Sequence, residues 1–170
     1  MEPVTQPLRD EHKELMPQVK TLKLAGDAIH EDLTSADRAL IDKAYMFLTH
    51  HLIPHAQAEE KALYPVVRKA MGTEAGTATM SREHTEVKRL TQELGLLRSK
   101  IAGTKIDAKQ ANELRSVLYG LHAIVKVHFA KEEEVYLPLL DATLRPEQAQ
   151  AMFAAMEEAA QEVKAHLQAN

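Results

Sequence analysis

The chain has 170 residues, no cysteine, no tryptophan, 4% aromatic residues and a net charge of −4. That length suffices for one domain with a full core. Disulfides and thiolate metal sites are excluded, and mixed-sign acidity offers no basic face for nucleic acid. Nine histidines are many for such a chain. Abundant Ala, Leu, Glu, Lys and Gln favour helix over sheet. No stretch approaches the roughly 20 apolar residues of a membrane span. The N-terminal residues lack a signal-peptide pattern, so a cytoplasmic protein is expected.

A first helix is predicted from Thr5 or Gln6, with Pro7 in its first turn. Leu8, His12, Leu15, Val19 and Leu22 follow alternating spacings of 4 and 3, one bundle-facing stripe that points His12 inward. Pro17 should kink this helix. Gly26 and the polar run to Ser35 read as a loop, with Ser35 as the next N-cap. The second inward stripe is Ile41, Tyr45, Leu48, Leu52, His55, Glu59, Ala62 and Val66. Pro54 interrupts it and should bend the helix before it ends near Met71.

The third helix presents Met80, His84, Val87, Thr91, Leu94, Leu97 and Ile101, and Gly103 closes it. Asp107 and Gln110 look like a capping box for the fourth. That helix reads Leu114, Leu118, Leu121, Val125, His128, Glu132, Val135 and Leu139. Pro146 opens a fifth, whose apolar face is Ala149, Phe153, Met156, Ala160, Val163 and Leu167. This face is expected to cover its own domain; a dimer contact is the alternative use.

Two stretches are copies of each other. His55-x3-Glu59-Glu60 with Pro65 returns as His128-x3-Glu132-Glu133 with Pro138, at an offset of 73 residues. Glu11-His12-x-Glu14-Leu15 returns as Glu83-His84-x-Glu86-Val87, at 72. The chain is thus a tandem repeat of helical hairpins. The expected fold is all-α: an up-down-up-down four-helix bundle over residues 6–140, with an accessory helix over 146–168, in one domain spanning 1–170. Helix lengths bring His12 and Glu59 to one level of an antiparallel bundle.

His12, His55, His84, His128, Glu59 and Glu132 therefore meet in one inward layer with no Lys or Arg on the stripes. Burying two unpaired carboxylates costs several kcal/mol. A cluster of cations resolves this, because neutral imidazoles and carboxylates are its ligands. Each carboxylate can bridge two metals, leaving two imidazoles per metal and open positions for an added ligand. Zinc or manganese would accept these donors; bridging carboxylates with nitrogen ligands favour iron. A buried polar network is the bland alternative. Glu60, Glu133 and His51 are candidates for bonds to the ligands, as are Glu11 and Glu83. His122, His30, His50 and His166 read as surface or loop residues, and Tyr45 as core. Tyr64, Pro65, Tyr136 and Pro138 are expected to shape helix ends.

The combined pattern resembles the hemerythrin-like family of HHE cation-binding domains over about residues 6–140. The resemblance implies a di-iron centre bridged by oxygen or hydroxide. It implies His12 and His55 on one iron, His84 and His128 on the other, and Glu59 and Glu132 as bridges. Oxygen-carrying members have a second histidine on the third helix, where this chain has Lys88, and His-x4-Asp on the fourth, where it has His128-x3-Glu132. One histidine fewer gives a more open centre and argues against reversible oxygen carriage. Reaction with peroxide, oxygen or nitric oxide is the leading expectation. Binding of oxygen, nitric oxide or iron without turnover is one alternative, and sensing through a partner is another.

Overall fold

Two capping boxes set the starts of the longest helices. Thr34 accepts from the Asp37 N–H and Asp37 returns the bond; Asp107 and Gln110 do the same. The first cap is Thr34, one residue before the Ser35 expected from sequence. The computed structural model describes residues 2–168, with side chains to 166. Its helices are α1 (Gln6–Asp27), α2 (35–71), α3 (Ala78–Ser99), α4 (108–143) and α5 (Pro146–Gln168). The described residues contain no strand, only an isolated bridge between Asp32 and Lys105. Gly72, at φ 69°, ends α2 in the left-handed conformation that glycine tolerates best.

α1 to α4 pack in a ring, each against its two chain neighbours, with α4 closing on α1. α1 runs on through Pro17. The first loop begins later than expected. Gly26 is helical and buried, and a Cβ there would lie 2.7 Å from the Tyr119 ring.

α2 and α4 are not uniform. α2 contains π turns at Leu48–Leu52 and Glu59–Leu63, and α4 contains one at Glu132–Tyr136. The first is the form taken by the distortion expected at Pro54. The other two start at the corresponding glutamates of the two repeats. A π turn takes in one extra residue and so shifts the buried face by one position. Val135, predicted inward, is 51% exposed, while Tyr136, Leu137 and Leu140 are buried. In α2 the same slip buries Leu63, Tyr64 and Val67 and leaves Val66 only partly covered.

The interior has two apolar clusters. One holds Leu15, Val19, Leu48, Leu52, Leu94, Leu118, Val125 and Phe129. The other holds Leu8, Leu63, Tyr64, Val67, Met80, Tyr136 and Leu140. His12, His55, Glu59, His128 and Glu132 fall between them along their helices. α5 packs on the 53–63 stretch of α2 and adds Met152, Met156 and Ala159 to the second cluster. Its apolar face is thus used within the chain. The expectation for Leu167 lies outside the described side chains.

Candidate metal centre

The predicted residues converge. Glu59 and Glu132 are fully buried, and His12, His55 and His128 are 3–4% exposed. His84 is slightly more open. The Nε2 atom of each imidazole faces the two central carboxylates. His55 Nε2 is 2.9 Å and His12 Nε2 3.9 Å from Glu59 Oε1; His12 Nε2 is 3.2 Å from Glu132 Oε2. On the other side His84 Nε2 is 3.1 Å and His128 Nε2 3.8 Å from Glu59 Oε2. Glu132 Oε1 is 3.5 Å from His128 Nε2. Two groups of donor atoms result: His12, His55, Glu59 and Glu132, and Glu59, His84 and His128. Glu59 belongs to both, one oxygen toward each.

The outward nitrogens are held as well. Nδ1 of His12 donates to Glu133 at 2.8 Å, that of His55 to Glu11 at 2.9 Å, that of His84 to Glu60 at 2.8 Å and that of His128 to Glu83 at 2.8 Å. A carboxylate can only accept, so Nδ1 carries the proton and a neutral imidazole keeps its lone pair at Nε2. Arg9 holds Glu133, Ser81 holds Glu60 and Lys131 holds Glu83. Glu60 and Glu133 thus lie against the outward nitrogens of His84 and His12. His51 does not: it is exposed. Tyr45 stays apart, under the Arg98 guanidinium, 4.8 Å from its ring centre.

Tyr64 is the residue the sequence reasoning missed. It is completely buried, and its hydroxyl lies 3.2 Å from Glu132 Oε1, 3.2 Å from His128 Nε2 and 3.3 Å from His84 Nε2. It stands five residues after Glu59, and its N–H bonds the Glu59 carbonyl in the π turn. A regular helix would turn it away; the extra residue brings it back over Glu59. The repeat carries Leu137 at the matching position, and that asymmetry was the available signal.

Charge and hydrogen bonding give different answers about what the layer needs. Burial alone would lower the imidazole pKa values, but the Glu132 and Glu59 carboxylates outweigh it, raising His12 to about 9 and His128 to about 10. His55 is raised well above its ordinary value despite burial, chiefly by Glu59. Burial would raise Glu59, yet the charge of His55 and the nearby imidazoles of His12 and His128 hold it well below the usual carboxylate range. Protons can therefore balance the charge. They do not satisfy the geometry. Among the described residues, His12 Nε2, His55 Nε2, both Glu59 oxygens and Glu132 Oε2 are buried without an aligned hydrogen-bond partner. Each such atom costs about 1–3 kcal/mol. All five belong to residues of the two donor groups, and a cation is the partner that lone pairs from several directions share. The donor set fits a metal.

The family description Hemerythrin HHE cation binding domain matches residues 4–140. The chain belongs to that family, which implies metal binding, with iron the expected metal. α5 lies beyond the match. No curated protein and no solved structure matches the chain. No helix among the described residues is long and apolar enough to cross a membrane.

Proposed function

We propose that this chain holds two iron ions in its ligand layer and reacts with a small molecule there, peroxide or nitric oxide before reversible oxygen carriage. The observation that carries the reading is Glu59, whose two oxygens serve the two donor groups separately. Two irons held there would supply Lewis acidity and a pair of redox equivalents. The protein's own residues do the rest. His12 and His55 would hold one ion and His84 and His128 the other, with Glu59 and Glu132 spanning both. Four outer carboxylates fix the imidazole rings.

A cavity of about 10 Å³ adjoins the layer, with His55, Glu59, His84 and His128 on one side and Leu52, Ala56, Val87, Val125 and Phe129 on the other. It touches both donor groups, and its volume is about that needed to hold one water molecule. Apolar walls exclude bulk water from that ligand. The Tyr64 hydroxyl keeps its proton, because burial and the nearby carboxylates of Glu59 and Glu132 raise its pKa far above the ordinary value. It donates a hydrogen bond to Glu132 Oε1.

Elemental analysis of purified protein, with an optical spectrum and oxygen evolution from peroxide, tests the reading. It expects iron near two per chain, matching the two donor groups, and turnover of peroxide. Full iron loading with tight nitric oxide binding but no turnover of either ligand would favour a binding role. Absence of stoichiometric metal would overturn the proposal.

A further inference from the structure

Two surface pockets sit at repeat-related places. One, about 300 Å³, lies between α2 and α3 and reaches His84. The other, about 390 Å³, lies between α4 and α1 and reaches His12. Apart from Val87 in the first, their linings stand at corresponding positions of the repeat. Ala56 and Glu60 in the first stand where Phe129 and Glu133 stand in the second, 73 positions on. His84 and Ser81 stand where His12 and Arg9 do, 72 positions back.

The correspondence fails at one decisive position. The internal cavity is lined by Ala56, His84 and Val87, and all three also line the α2–α3 pocket. With the α4–α1 pocket it shares Phe129 alone. That ring is 4% exposed. It stacks on His12 at 4.4 Å and 14°, with its centre 5.8 Å from that of His55. A methyl group therefore borders the cavity on one side and a phenyl ring seals it on the other.

We infer that the ligand layer has one entrance, between α2 and α3 at Ala56, and that Phe129 stoppers the equivalent path between α4 and α1. The inference rests on the proposed reading of the layer as a centre that receives an external ligand. Charge separates the two sides as well. Arg9, Lys13 and Lys126 line the stoppered pocket, whereas Lys88 is the one cation lining the open pocket, beside apolar Ile53 and Val87. The ligand class that fits such an entrance is small and uncharged.

Ala56→Phe and Phe129→Ala test the two sides, with Ala56→Val and Phe129→Leu as milder partners should either fail to fold. The first readout uses apoprotein. Carbethoxylation by diethyl pyrocarbonate is followed by mass spectrometry, each histidine being compared with itself across variants. Ala56→Phe is expected to slow His84 labelling about tenfold and leave His12 unchanged, and Phe129→Ala to speed His12 labelling by a similar factor. Unchanged His84 labelling in both Ala56 variants would overturn the entrance, and unchanged His12 labelling in both Phe129 variants would overturn the stopper. The second readout is nitric oxide association with the reduced, iron-loaded protein. Slowing of about tenfold in Ala56→Phe, at unchanged iron content, is expected; an unchanged rate would overturn the entrance. A wild-type chain that takes up no iron would sink the di-iron reading, and the labelling would still decide the entrance.

Discussion

Glu11 precedes His12 in the chain, yet its carboxylate accepts from Nδ1 of His55, 2.9 Å away on the next helix. The pattern continues around the bundle: Glu60 of α2 holds His84 of α3, Glu83 of α3 holds His128 of α4, and Glu133 of α4 holds His12 of α1. Each helix orients the imidazole of the next, and the last returns to the first. The duplicated hairpin explains this closure, since one carboxylate beside each histidine or central glutamate is copied into both halves.

The ring makes each outer carboxylate a positioning residue. Glu83→Gln removes the charge that steadies the His128 imidazole and leaves Lys131 without that ion pair. Metal affinity should fall about 10–100-fold with the helical fold retained. Competition with a chromophoric chelator, alongside far-ultraviolet circular dichroism, measures both. Unchanged affinity would show that packing alone orients the ring.

The two central carboxylates should not be equivalent. Glu59 offers an oxygen to each donor group, whereas the second group forms without Glu132. Tyr64 already donates to Glu132 Oε1. Glu59→Ala is therefore expected to abolish stoichiometric metal binding, and Glu132→Ala to leave about one ion per chain. Metal content after desalting separates these outcomes, and equal losses would contradict the asymmetry.

The inward histidines and glutamates were legible because regular helix spacing holds from Leu8 to Leu22 and from Leu114 to Glu132. Beyond Glu59 and Glu132 it does not hold. A π turn is stabilised by its surroundings, and no residue type announces it. The slip hid Tyr64 at the site and placed Val135 on the wrong face. The four outer carboxylates were visible as candidates, but their partners were not. A residue beside one histidine reaches the histidine of another helix, and only the packing decides which. Gly26 looked like a loop signal because sequence does not show the Tyr119 ring that needs its missing side chain.

Metal removal should destabilise the fold. The five unpartnered buried atoms belong to the apoprotein, and a bound cation would satisfy them. A ligand present at 100 times its dissociation constant stabilises by about 2.7 kcal/mol. For a chain of this size that corresponds to roughly 5–11 °C in melting temperature. Calorimetry of apo and loaded protein checks the shift. Equal melting temperatures would place the metal outside this layer.

A pH effect away from the layer is expected from Asp141. Burial would raise its pKa, but the Thr5 backbone N–H, the Arg9 guanidinium and the Thr5 hydroxyl together hold it below the ordinary value. The contacts are 2.9 Å from Thr5 and 3.0 Å from Arg9, and they tie the start of α1 to the end of α4. A carboxylate with a depressed folded pKa stabilises the protein above its unfolded pKa, and that contribution is lost as pH falls through the folded value. Asp141→Asn should thus cost about 1–2 kcal/mol at neutral pH, with the difference from wild type shrinking below about pH 4. Urea denaturation of both apoproteins at pH 7 and under acid conditions tests this. A difference that stays constant with pH would mean that the side chain acts through packing, because only an ionised carboxylate exchanges its stabilisation for a proton.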